Sequence, residues 1–275
     1  MINKAKIMTI FDIDFTTLYK NHFNLSSRKD KTPKDWKDKA KKMQNSCFDL
    51  EDDYTKQFIQ AMKFDKTDTI LDVGCGGGAL ALALAPYVKA VYALDFCQDM
   101  LDIVTKRAKD LKIKNIFPIL RAWEEDWQDI PVCDICISSR SSMVSDLNKA
   151  LDKLNKHAKK AVYMSMIVEK DFISPKILQA IKRDSVGFPN YIYALNLLYQ
   201  KNYFASVNFI ESKGSFVNSQ VISTEDFIES VSWSIGKLSE QEIEYLKDFH
   251  MQNPQITSAY EPLKKWALLH WDKNK

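Results

Sequence analysis

Four of the seven glycines in this 275-residue chain, Gly74, Gly76, Gly77 and Gly78, fall within five positions. Glycine takes positive φ without steric penalty and lets backbone or ligand come close. A cluster of glycines directly after the short β-branched run Thr69-Ile70-Leu71-Asp72-Val73 therefore marks a tight turn against which something large packs. The text of the turn is Leu71-Asp72-Val73-Gly74-Cys75-Gly76-Gly77-Gly78-Ala79. A helical stretch, Ala79 to Val88, follows, and a second strand, Ala90 to Leu94, ends beside Asp95. Strand, glycine loop, helix and strand in that order describe a nucleotide-type loop. No Gly-Lys-Ser/Thr follows, which excludes a P-loop.

The alternation continues beyond the loop. Met100 to Leu111 has an apolar helical face, Asn115 to Leu120 and Val132 to Ser138 are strands, and Ala161 to Val168 is a fifth strand. Between the last two, Leu147, Ala150, Leu151, Leu154, His157 and Ala158 form a single apolar stripe at helical spacing. Strands alternating with helices imply a parallel sheet covered on both faces. After Lys170 the pattern changes: Asp171 to Lys201 reads as two helices broken at Gly187-Phe188-Pro189, opened by Ser174-Pro175 and by Pro189. Ala205 to Glu211 is a sixth strand, Thr224 to Ser232 and Ser239 to His250 are capped helices, and Trp266 to Trp271 is a closing strand. Residues 1–63 read as a mostly helical extension or lid, and 64–275 as the main domain, with 171–203 a helical insertion shaping a pocket.

Composition narrows the class of protein. The chain is 45% hydrophobic and 27% charged, with 39 basic against 36 acidic residues, a formal +3. That balance argues for neither nucleic acid nor membrane. The five cysteines, an odd number without framework spacing, suit a reducing, cytoplasmic setting. No signal peptide or membrane-spanning segment is expected. Charge is uneven locally, because Arg28 to Lys42 holds eight basic and three acidic residues. A phosphate-binding arm is one account of that segment, and a solvated helix face is the plainer one; Trp36 is its sole base-stacking aromatic. Cys133 and Cys136 have redox or half-zinc spacing but lie in an apolar strand without a second pair, so buried core thiols are expected.

Two ligands fit the loop. Gly74-x-Gly76-x-x-Ala79 with Asp95 downstream matches the dinucleotide fingerprint. A pyrophosphate, however, wants a bare helix N-terminus with no anion beside it, and Asp72 sits two residues ahead of Gly74. That carboxylate suits a ligand carrying an ammonium and a sulfonium. At Asp72-Val73-Gly74-Cys75-Gly76-Gly77-Gly78 the chain resembles the class I S-adenosylmethionine-dependent methyltransferases, whose first motif is acidic-x-Gly-x-Gly-x-Gly after a first strand. The likeness runs on through Val91 to Phe96 and Asp99-Met100-Leu101.

The resemblance implies a Rossmann-like, mostly parallel seven-stranded sheet with helices on both faces, here with an N-terminal helical extension and a helical elaboration after the fifth strand. It implies S-adenosylmethionine as cofactor, held by Asp72, Gly74, Cys75, Gly76, Gly78, Asp95, Phe96, Met100, Trp123, Glu124 and Ser138. Asp95 takes the ribose and Met100 stands beside adenine. Trp123 stands where the family often has a small residue, which leaves its role and that of Glu124 open. The fourth strand's end lacks Asn/Asp-Pro-Pro-Tyr, so amino-methylating DNA enzymes are not implied. Candidates to orient an acceptor are Ser138, Ser139 and Arg140, with Trp36 as a lid residue. Arg140 could pair bidentately with a carboxylate or phosphate.

Three functions are set against each other. The leading one is in-line methyl transfer to an O, N, S or C nucleophile of a small-molecule acceptor, where placing that atom near the methyl carbon supplies ~7–11 kcal/mol. A general base would add only ~10²–10⁴-fold. The second keeps the cofactor and makes RNA the acceptor, through the Arg28–Lys42 segment. The third is a non-catalytic binding protein on the same fold. The sequence gives neither the acceptor nor the oligomeric state.

Overall fold

Three helices precede the sheet in the computed structural model, which describes residues 9–26, 31–44, 49–213, 221–256, 259 and 263–273. They are α1 (Phe15–Leu25), α2 (Pro33–Gln44) and α3 (Asp53–Gln60). Local chemistry starts two of them: Asp14 accepts from the Thr17 amide, and Asp52 accepts from the Tyr54 and Thr55 amides, satisfying donors that a helix N-terminus leaves open. Cys47, Arg28 and Lys29 lie outside the described residues, as does the Lys42 side chain.

The sheet unit follows in sequence order: β1 (Thr69–Val73), α4 (Ala79–Leu84), β2 (Ala90–Asp95), α5 (Gln98–Asp110), β3 (Ile116–Leu120), β4 (Cys133–Ser139), α6 (Leu147–His157) and β5 (Ala158–Ile167). Then come α7 (Pro175–Ala180), α8 (Tyr191–Gln200), β6 (Ser206–Lys213), α9 (Thr224–Ile235), α10 (Glu240–Gln252) and β7 (Leu263–Asp272). The helix expected over Ala79–Val88 stops at Leu84 and tightens into a 3₁₀ turn over Ala85–Tyr87. Pro86 lacks the N–H that a continuing helix would use. A Ser239/Glu242 capping box opens α10, and α9 is capped by Ser223, one residue ahead of Thr224, where the sequence pattern starts the helix. The Thr224 hydroxyl meets His250 Nδ1 at 2.9 Å instead.

The seven strands form one sheet in the order β3-β2-β1-β4-β5-β7-β6. The first five run parallel, and β7 lies antiparallel between β5 and β6. The order reverses direction between β1 and β4, and ligands of open α/β sheets bind beyond the strand ends at such a switch point. Side chains alternate across the sheet. Leu71, Val73, Leu94, Cys136, Val162 and Met164 face α1, α6 and α8, while Ile70, Val91, Ala93, Ile135 and Ile137 face α3, α4 and α5. Both faces are therefore buried, as parallel strands require. Cys133 and Cys136 are core residues, and burial pushes the Cys133 thiol up to about 11 and raises that of Cys136 as well.

The N-terminal helices divide between these layers: α1 joins the α6/α8 face, α3 joins the α4/α5 face, and α2 lies on α5. A separate apolar core, built by Ile177 of α7, Phe227, Val231 and Ile235 of α9 and Leu246 of α10, forms a helical subdomain. It draws on both the β5–β6 and the β6–β7 connections. Of the two helices expected in 171–203, α7 belongs to this subdomain and α8 to the main core. Among the described residues no helix is long and apolar enough to cross a membrane.

Candidate functional site

Sterics shape the turn after β1. Gly74 has φ +70°, and an added Cβ would stand 2.3 Å from Ser141 Cβ, so neither the conformation nor the space admits a side chain. Gly76, at φ +52°, is the opposite case, because a Cβ there would meet nothing within 4 Å. The loop thus hugs protein at Gly74 and opens outward at Gly76. The Gly74 and Cys75 amides both donate to the Leu94 carbonyl, at 2.7 and 3.0 Å, tying the loop to the end of β2.

Two carboxylates meet at this point. Asp95 ends β2 and is 5% exposed; its Oδ2 accepts from the Gly76 amide at 2.8 Å and its Oδ1 from the Cys97 amide at 2.9 Å. Two of about four lone-pair sites are so engaged, which leaves room for ligand hydroxyls. Burial raises the Asp95 pKa against the pull of the Cys97, Gly76 and Phe96 amides. Asp72, 2% exposed near the end of β1, is pushed to about 7 by burial first and by the charge of Asp95 second, with the Ala81 amide in the first turn of α4 working the other way. Its charged neighbour is thus another anion. Burial, with Asp72 and Asp95 nearby, also keeps the Cys75 thiol protonated.

Over the loop lies α2. Met43 Sδ stands 2.4 Å from where a Gly77 Cβ would be. Arg107 of α5 donates to the Gly77 carbonyl at 2.8 Å and to the Met43 carbonyl at 3.2 Å, fastening both. Ala40 of α2 joins Cys97, Met100 and Ile103 in one apolar cluster, with Trp36, Met43 and Phe96 packed against it. Met100 is accordingly a core residue between α5 and α2. Trp36 stands edge-on to Trp233 of α9 at 5.5 Å, so α2 bridges the glycine loop and the helical subdomain. Lys31 and Lys39 both lie over the Trp233 ring, at 4.3 and 4.6 Å.

The third part is the loop after β4. Ser138 is fully buried, and its Oγ lies 3.0 Å from Ser141 Oγ, which donates to the Val73 carbonyl at 2.6 Å. Trp123 stacks on Trp127 at 5.2 Å and donates from Nε1 to the Ser141 carbonyl at 3.1 Å. Ser138 and Trp123 therefore support the loop from one sheet face, while Glu124 is exposed. Ser139 points to the other face, where its Oγ lies 2.8 Å from the Tyr54 hydroxyl. Arg140 is exposed and its guanidinium lies over Tyr54. Trp36 belongs to the α2 cluster and not to the Ser139–Arg140 group.

Sequence reasoning missed Ser141, Tyr54 and Met43. Ser141 shows no signal, since its importance lies in touching Gly74. Met43 does: Trp36, Ala40 and Met43 recur at i, i+4 and i+7, an apolar stripe hidden among lysines. Among the described residues no group of three His, Cys, Asp or Glu side chains is placed to hold a metal.

Comparison with known proteins adds four findings. Residues 70–161 match the family model described as a methyltransferase domain. A Haemophilus influenzae protein of uncharacterised function is 36% identical over 269 residues, 96% of this chain and 98% of that one. A Methanococcus vannielii protein named as a probable cobalt-precorrin-6B C(15)-methyltransferase (decarboxylating) is 25% identical over 147 residues, 47% of this chain and 71% of that one. In fold, the chain superposes on the crystal structure of a candidate methyltransferase from Bacillus halodurans with a TM-score of 0.55 and 14% identity, covering 80% of this chain and 98% of that one.

Proposed function

Because the chain belongs to the class I S-adenosylmethionine-dependent methyltransferases and is an enzyme of that type, we propose that it methylates a small-molecule acceptor at the C-terminal ends of β1, β2 and β4. The observation that carries this reading is the Asp72–Asp95 pair beneath the open face of Gly76. Two buried carboxylates, each pushed upward by burial, favour a cationic ligand and disfavour the pyrophosphate of a dinucleotide.

The residues present fit the cofactor. Asp95 has acceptor capacity left for ribose hydroxyls, Gly76 allows close approach, and Phe96 offers an apolar wall. Asp72 gains a counter-charge when a cation lies near. When bound, S-adenosylmethionine supplies a methyl carbon already made electrophilic by its sulfonium. Placement then falls to the protein. Ser141 fixes the loop after β4 against β1, Ser139 and Arg140 stand at the acceptor side, and α2 with Met43 and Trp36 excludes water. The Cys75 thiol, held protonated, is no nucleophile.

An RNA acceptor has less support, since Lys31 and Lys39 of the basic segment are engaged with Trp233. Calorimetry with S-adenosylmethionine and S-adenosylhomocysteine tests the reading: binding of both is expected, and absence of either signal at millimolar concentration would sink it.

A further inference from the structure

Arg140 directly follows β4 with φ +56°, in the left-handed region that a residue with a Cβ enters at a cost. The backbone holds it there, because its amide donates to Ser165 Oγ at 3.0 Å and towards the Ser165 carbonyl at 3.3 Å. The guanidinium carbon lies 4.1 Å from the centroid of Tyr54 and 5.7 Å from that of Trp266. Tyr54 is itself held at both ends. It is buried, and its hydroxyl lies 2.8 Å from Ser139 Oγ and 2.5 Å from Ser165 Oγ. Among the described residues no carboxylate pairs with Arg140 and its side chain makes no hydrogen bond, yet the side chain is exposed just beyond the C-terminal end of β4.

Strain kept at an exposed position, a rigid ring beneath a cation and an unused set of donors together describe a group prepared for a ligand. A guanidinium over a ring face keeps its N–H edge for a planar oxyanion, which it grips through two parallel bonds. The Trp266 ring is followed by that of Phe172 at 6.5 Å, an apolar edge beside the charge. We propose that Arg140 anchors an oxyanion of the acceptor, a carboxylate or a phosphate, so that the methyl acceptor is an organic anion with a flat apolar body. This rests on the reading that the loop after β4 faces the acceptor.

The test uses the full chain, with benzoate, phenyl phosphate, inorganic phosphate and neutral benzamide as probes and tryptophan fluorescence or calorimetry as the readout. Benzoate or phenyl phosphate is expected to bind at least about ten-fold more tightly than benzamide. R140G relieves the backbone while deleting the guanidinium. It should unfold at the same or a higher temperature, lose anion binding about ten-fold or more, and keep its affinity for S-adenosylhomocysteine within about two-fold. R140K, with charge but no fork, should fall between. The stronger of benzoate and phenyl phosphate identifies the oxyanion. Benzamide bound as well as benzoate, no anion bound by the wild type, or R140G binding anions unchanged would each overturn the proposal. Anion binding in a wild type that ignores S-adenosylhomocysteine would preserve the anchor and sink the methyl-transfer reading instead.

Discussion

At the scale of single residues, Asp72 makes the sharpest demand. Its carboxyl is raised to about 7, chiefly by burial. A carboxyl raised on folding keeps its proton in the native state. Its contribution to stability is therefore full below the unfolded pKa and is lost as pH rises through about 7. D72N should match the wild type in thermal unfolding near about pH 4 and melt higher near about pH 8; equal melting at both would show that the carboxyl ionises freely. Ligand binding carries the opposite sign. A cation beside Asp72 favours its charged form, so affinity for S-adenosylmethionine should grow as pH rises through about 7, with proton release visible as a buffer-dependent binding enthalpy. Asp95→Ala should weaken S-adenosylhomocysteine binding by about 1–3 kcal/mol through lost ribose hydrogen bonds, and unchanged affinity in calorimetry would misplace the ribose. That Asp72 and Asp95 stand beside the glycine loop was legible in the sequence, because each lies at the end of a strand next to it. Ser141 and the left-handed backbone of Arg140 were not, since the first matters through a contact with the distant Gly74 and the second is a φ angle that no letter encodes.

At the scale of elements, α2 changes meaning most. Its lysines suggest a solvated face, and its three apolar residues instead seat it on α5 and the glycine loop. Trp233→Ala removes the ring that holds Trp36, Lys31 and Lys39 from the far side. Amide hydrogen exchange across Pro33–Gln44 should speed up in that variant while the strands stay protected, and S-adenosylhomocysteine should restore part of the protection. Exchange in α2 that matches the wild type would mean that Arg107 and Met43 suffice. Helix and strand identities followed from periodicity nearly throughout. Boundaries shifted where a single residue intervened, as Pro86 does at the end of α4.

At the scale of the whole molecule, sequence could announce that helices after Lys170 bury an apolar face but not which partner each would find. An apolar stripe specifies burial, whereas the choice between the sheet and the α7/α9/α10 core depends on where two separate connections converge. That core predicts a local effect: Phe227→Ala, at a fully buried ring, should cost about 3–5 kcal/mol and loosen α7, α9 and α10 first in hydrogen exchange, with S-adenosylhomocysteine affinity little altered. A matched loss of protection across β1 and β4 would show one cooperative unit in place of two. The contact between Ser141 and Gly74 reaches further than either residue. Because a hydroxymethyl group of the loop after β4 fills the space that a side chain at Gly74 would need, the two loops are not interchangeable parts. A chimera that replaces the loop after β4 must keep a residue as small as serine opposite Gly74, or the turn after β1 is displaced with it.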